Sequence, residues 1–379
     1  MGPEAYGNYN LVNIIVQYTS LPMGILGLRS FGIREISAKR KDKGYAIEIL
    51  SMQFTVAVFA VIVSLIVSFI IFQKKVLLLI AILLGYIIVF ARAFDLEFFY
   101  VSQKDLVFPT IAKIIGQLFY VAGVVVLIKK PNDFVILVFL ASLSPVIGDM
   151  IQLKKYSLNH SKIKIRFAVK DVIYTFKKTW QLGVSQNLEG FLSTIPQMLL
   201  PIMIGPYALG IYSGGFKVYS VLLLFYITFF YALAPYLVQL NELPRNKKKK
   251  YHLLIFIILF LVSSTIGIFL FFFGEPIILL LLGKSFGDSV IVFRTISLTL
   301  IPLTPIIMLL GNILIYSGYE KYYLISLIVN GIAIVVSAPL FIKYFNVVGA
   351  VYSLAFGMMA GIAVLFVYYL ISINSQKIK

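Results

Sequence analysis

The sequence predicts an all-α polytopic membrane protein assembled from two copies of one helical block. Three observations carry that expectation. Of the 379 residues, 60% are hydrophobic and 13% charged, against about 25% charged in soluble domains, and the mean hydropathy is +0.97. Eleven apolar runs, at 8–28, 46–72, 76–94, 107–128, 134–153, 181–203, 211–240, 252–273, 290–316, 323–343 and 348–371, are each long enough to cross a hydrocarbon core of about 30 Å. Finally, Gly2-Pro3-Glu4-Ala5-Tyr6-Gly7-Asn8-Tyr9 returns 203 positions later as Gly205-Pro206-Tyr207-Ala208-Leu209-Gly210-Ile211-Tyr212, keeping the glycines, the proline, the alanine and the last tyrosine in register. A repeat this long is a block of membrane helices and not a solenoid module. A soluble helical protein is excluded, because 33 basic and 15 acidic side chains cannot coat so many apolar runs.

Charge orders the runs across the membrane. The segments 29–45, 95–106, 154–180, 241–251, 317–322 and 372–379 hold 23 Lys and Arg, whereas 1–7, 73–75, 129–133, 204–210, 274–289 and 344–347 hold 5. The first set is therefore expected on the cytoplasmic side. Lys247, Lys248, Lys249 and Lys250 read as a loop held at an anionic leaflet rather than as a nucleic-acid site. On the other side the longest connection is 274–289, where a stretch led by Pro276 reads as a re-entrant or interfacial helix.

The runs beginning at 8, 46, 76, 107 and 134 pair in order with those beginning at 211, 252, 290, 323 and 348, and the run at 181–203 has no partner. The expectation is eleven helices present of twelve, with one belonging before Met1; an eleven-span chain with an exported N-terminus is the alternative. The domains are then residues 1–153, an N-lobe of five helices; 154–180, a basic cytoplasmic linker; and 181–379, a C-lobe of six helices. An even number of spans per copy makes the copies parallel repeats about an axis along the membrane normal, with a cavity between them. Pro22, Pro109, Pro196, Pro201, Pro235, Pro302, Pro305 and Pro339 fall within or near the runs and serve as hinges or as packing residues.

Ionisable groups inside the runs are the sharpest functional clue, since a charge near the bilayer centre costs about 2.5–3.5 kcal/mol on insertion scales. Lys217 either neutralises Glu189 on the preceding run or faces the cavity as an anion site, and Glu189 is its candidate partner or an ion-coupling group. Arg92 and Lys113 either snorkel to the cytoplasmic edge or line the cavity. Arg29 and Arg34 flank Gly32 where a phosphate-bearing substrate would enter from the cytoplasm, and either meet it, since guanidinium donates two parallel hydrogen bonds to phosphate, or serve as a positive-inside anchor. Arg294 is a late contact or an interfacial anchor. Asp95, Glu97, Asp105 and Asp149 lie only toward cytoplasmic ends, so intramembrane cations outnumber acids, which favours an anionic cargo.

The chain has no Cys, its two His (His160, His252) lie in or beside basic loops, and no nucleophile triad, phosphate-binding glycine loop or dinucleotide fingerprint appears. The expectation is a protein that is not an enzyme and uses no cofactor or metal.

Gly2-Pro3-Glu4-x-Tyr6-Gly7-x-Tyr9 followed by Gly32-Ile33-Arg34-Glu35-Ile36 resembles the opening of polysaccharide-export flippases of the Wzx (O-antigen) type. In the second half Gly205-Pro206, Gly210-Ile211-Tyr212-Ser213, Pro235, Leu282-Gly283-Lys284-Ser285-Phe286 and Val348-Gly349-Ala350 look like the recurring positions of the same family. The family sits in the multidrug/oligosaccharidyl-lipid/polysaccharide (MOP) exporter superfamily. The resemblance implies a MATE-like pair of six-helix lobes forming a V, in the cytoplasmic (inner) membrane. It implies transport of a polyprenyl-pyrophosphate-linked oligosaccharide from the cytoplasmic to the outer leaflet for cell-surface polysaccharide synthesis, with membrane lipids and a polysaccharide polymerase or glycosyltransferases as partners. A MATE-like drug or metabolite exporter is the other reading.

Overall fold

In the bilayer every backbone N–H and C=O must be satisfied within the chain, so an apolar run folds as a helix. In the computed structural model, which describes residues 2–37, 45–130, 133–160, 163–241 and 243–374, that rule holds throughout. The helices are α1 (Pro3–Ile25), α2 (Leu28–Ser37), α3 (Tyr45–Phe72), α4 (Val76–Phe94), α5 (Glu97–Ser102), α6 (Val107–Leu127), α7 (Phe134–Asn159), α8 (Val169–Met203), α9 (Pro206–Leu240), α10 (Arg245–Leu282), α11 (Ser289–Tyr316) and α12 (Glu320–Asn374). Among the described residues nine helical stretches are long and apolar enough to cross a membrane. The last of these is two arms meeting at Asn346 (φ +52°), and α8 adds the shorter apolar stretch Gly190–Met203, which brings the crossings to the expected eleven.

Several boundaries differ from the sequence-based ones, each for a physical reason. The first run is α1, which starts earlier, at Pro3, whose missing N–H costs nothing at a helix start; the chain breaks at Gly27, which adopts φ +61°, and the segment read as a basic loop after it opens with the helix α2. The short helix α5 was not expected. The basic segment 154–180 is helical at both ends, because α7 runs to Asn159 and α8 begins at Val169. Lys247, Lys248, Lys249 and Lys250 are not a loop but the opening turns of α10, lysine being a good helix former. Pro276 does not lead a re-entrant element: α10 continues through it to Leu282.

The chain divides into two compact units, residues 8–191 and residues 2–7 together with 192–379. The division falls inside α8 rather than within the basic segment, since that segment packs into the first unit. The Ala168 N–H donates to Thr55 Oγ1 of α3 (2.9 Å), and Thr179 Oγ1 donates to the carbonyl of Leu26. In this unit α4 packs on α3 and α7, α6 on α7, and α2 on α3 and α5. Leu28, Ile49, Leu50, Leu96, Phe99 and Tyr156 form a buried core where these helices meet.

In the second unit α11 is central, packed by α9, α10 and α12 and burying Phe293, Ile296, Leu300, Ile301 and Leu314. Here the two copies of the repeated motif touch. A methyl group on Gly7 would collide with the carbonyl oxygen of Pro206, and one on Gly210 with that of Pro3. Equivalent residues of the two copies thus exchange the same backbone contact, and Tyr6 adds an edge-on ring contact to Phe286 (5.7 Å). Outward faces carry rows of exposed aliphatic and aromatic side chains, such as Val63, Ile66 and Ile70 on α3 and Leu261, Phe269 and Phe272 on α10. So much apolar surface is stable only against lipid.

Candidate functional site

The break between α1 and α2 builds a cavity within the first unit. Gly27 supplies the left-handed backbone and α8 closes against it so tightly that a side chain on Gly183 would collide with the carbonyl of Ile25. The close approach brings Asn187 beside Gly24, where a methyl would lie 2.6 Å from Asn187 Oδ1; the Asn187 Nδ2 donates to the Gly183 carbonyl (2.8 Å). The resulting cavity, about 390 Å³, is lined by Ser20, Met23, Gly24, Gly27, Leu28, Arg29, Ser30, Arg92 and Asn187. Both charged groups lining it are arginines, and no lining residue among those described is acidic.

Behind Arg29 lies a knot of charge. Asp95, following the last turn of α4, is 9% exposed at its side chain and accepts Arg29 Nη1 at 3.2 Å and Lys113 Nζ at 3.3 Å. Its other oxygen accepts the backbone N–H of Glu97 (2.9 Å), and Lys113 also pairs with Glu97. Arg29 Nη2 donates to the carbonyl of Arg92. One edge of the Arg29 guanidinium is therefore fixed by a carboxylate and a carbonyl, while the side chain, 41% exposed, keeps donors for a ligand. Asp149 on α7 is buried, with Gln152 Nε2 at 3.4 Å. Asp105 accepts the Phe108 N–H at the start of α6 (3.1 Å) and pairs with Lys155 (3.4 Å).

The volume of the cavity lies within the roughly 300–1,000 Å³ of small-molecule sites. Its polar lining combines two guanidinium groups with the hydroxyls of Ser20 and Ser30 and the amide of Asn187. A sequence profile described as "polysaccharide biosynthesis protein" matches residues 1–241. The chain belongs to the polysaccharide biosynthesis protein family. No curated protein sequence matches it significantly.

This polysaccharide biosynthesis protein has the fold of the MOP superfamily. It is similar to an inward-facing multidrug resistance MATE transporter of that superfamily (16% identity, TM-score 0.73, covering 99% of this chain and 91% of that one). It is similar to the lipid II flippase MurJ in an inward closed conformation (13% identity, TM-score 0.62, 98% and 87%). A MOP superfamily transporter from Pyrococcus furiosus, described as having a binding pocket of reversed polarity, superposes with TM-score 0.58 at 16% identity over 99% and 89% of the two chains.

Within this family member the structure brings Arg29, Arg92 and Lys113 together, and leaves the other expected residues elsewhere. Arg34 lies on α2, 62% exposed, beside Glu35 (3.4 Å) and over the Phe31 ring (5.2 Å). Lys217 is exposed on α9 and has no carboxylate partner among the described residues; the Glu189 side chain lies outside them. Arg294 lines a separate groove in the second unit, paired with Glu275 at 3.4 Å. The cations counted in excess of acids along the runs are not all unpaired: Lys113 and Arg294, like Arg29, each have a carboxylate within 3.4 Å. The acids responsible lie just past span ends or near them, so a count made run by run missed them. Asp95, which pairs with Arg29 and Lys113, and Asn187, which lines the cavity, were not among the expected site residues. The dense Arg92, Asp95, Glu97 spacing at one membrane edge was the available signal for the first; nothing local marks Asn187.

Proposed function

We propose that this protein is a MOP-type transporter that moves a polyprenyl-pyrophosphate-linked oligosaccharide from the cytoplasmic to the outer leaflet by alternating access, for cell-surface polysaccharide synthesis. The observation that carries the reading is the cavity whose charged lining, among the described residues, is Arg29 and Arg92. A pyrophosphate oxygen would take the guanidinium donors that Asp95 leaves unused, and Ser20 and Asn187 would meet the first sugar, while the prenyl chain stays in lipid. No covalent step is required. The two units act as the N- and C-lobes, with the basic segment 154–180 at the cytoplasmic face of the inner membrane. Lys217 and Arg34 are contacts on the same cargo at other stages of its passage.

A MATE-like exporter of soluble compounds is the second reading, favoured by the buried Asp149 carboxyl in the first unit. The two separate in proteoliposomes given either a fluorescent lipid-linked glycan or soluble cationic dyes. The flippase reading expects glycan movement that falls about tenfold or more in Arg29→Ala, the loss of a charge-assisted bidentate contact. Movement of dyes without movement of glycan would overturn it.

A further inference from the structure

The end of α10, the start of α11 and the second arm of α12 enclose a groove of about 800 Å³ in the second unit. Its lining is mixed: Phe271, Leu279, Ile291 and Leu298 are apolar, while Glu275, Asp288 and Arg294 line the same space, Asp288 accepting the Tyr207 hydroxyl at 2.8 Å on one oxygen. Arg294 is aimed by the Phe271 carbonyl, which accepts from Nε at 3.2 Å, and by the Phe271 ring, 5.8 Å from its guanidinium carbon. Its pairing with Glu275 is long, and both side chains are well exposed, 37% and 57%. A surface pair of that kind contributes little and opens readily for a better partner. The hydroxyl protons of Thr295 and Thr299 are spent on helix carbonyls (2.8 and 2.7 Å), so toward the groove these side chains act as acceptors.

The charges select the occupant. A bare phosphate would meet one guanidinium against two carboxylates, and a bare cation would meet the arginine. A headgroup carrying both signs satisfies all three. We propose that this groove binds a zwitterionic phospholipid with a primary-amine headgroup, its phosphate on Arg294, its ammonium between Glu275 and Asp288, and an acyl chain along Leu279, Ile291 and Leu298. A primary ammonium donates hydrogen bonds to carboxylates, whereas a quaternary one has no N–H to give. Arg294 lies five residues beyond Ser289, the first residue of α11, about 7.5 Å along the axis at 1.5 Å per residue, so the charged part of the groove sits near the end of that helix. The proposal does not depend on what the protein transports.

Native mass spectrometry of the full chain, titrated with dioleoyl phosphatidylethanolamine, phosphatidylcholine and phosphatidylglycerol, tests it. Phosphatidylethanolamine is expected to bind about tenfold more tightly than either of the others, the value of one charge-assisted contact. Glu275→Gln combined with Asp288→Asn should erase its advantage over phosphatidylcholine, and Arg294→Gln should weaken both of these lipids alike. Equal binding of all three lipids, tightest binding of phosphatidylglycerol, or a preference that survives the double substitution would overturn the proposal. The ranking on the unmodified protein decides the matter even where a variant fails to fold.

Discussion

Arg29 in the first unit and Arg294 in the second make ion pairs of nearly equal length, 3.2 and 3.4 Å, and the two pairs do different work. Asp95 is 9% exposed and gathers Arg29, Lys113 and a backbone N–H; Glu275 is 57% exposed and holds Arg294 alone among the described residues. Distance does not separate them. Burial of the acid does, because a carboxylate out of water must keep its partners, and one in contact with water or headgroups exchanges them freely.

Asp95→Ala tests the difference hardest. It strands Arg29 and Lys113 and removes the acceptor for the Glu97 N–H, so the expected cost is about 2–3 kcal/mol, below the 3–5 of a fully buried pair because both cations are 41% exposed. Chemical denaturation in detergent measures it, and a cost under about 1 kcal/mol would erase the distinction between the two sites. Next in size, Arg29→Ala should lower surface polysaccharide about tenfold while the protein remains in the membrane. Arg29→Lys should recover only part of that, since an ammonium cannot serve Asp95, the Arg92 carbonyl and a phosphate from one rigid fork; full recovery would reduce Arg29 to a point charge. Gly27→Ala forces an alanine to φ +61° and should destabilise by about 1 kcal/mol, read as a lowered melting temperature. Glu275→Ala should be the mildest, within about 0.5 kcal/mol; a loss matching that of Asp95→Ala would show that burial is not what sets the two pairs apart.

Much of the fold was legible because hydropathy reports where backbone must be satisfied internally: α3, α4, α6, α9 and α11 begin or end close to the apolar runs. Hydropathy is blind to what happens within such a run. The break at Gly27 depends on one backbone angle, and α10 is longer than its run because lysines and Pro276 are compatible with helix at the two ends. The site was half legible. Arginine chemistry marked Arg29 and Arg92, but position along the chain could not tell which acid neutralises which base. Asp95 looked peripheral because it lies toward the cytoplasmic end of its run, while in space α2 and α6 deliver Arg29 and Lys113 to it. Arg34, treated as the twin of Arg29, lies on the same short helix yet pairs with its own neighbour.

The exchanged contact of Gly7 with Pro206 and of Gly210 with Pro3 bears on how such a chain can change over time. A side chain at Gly7 or Gly210 would push on the backbone of the opposite copy, and no side-chain change there could make room for it. Glycine at these two positions is then held by present-day sterics rather than merely inherited, whereas Gly2 and Gly205 face open space and meet no such crowding.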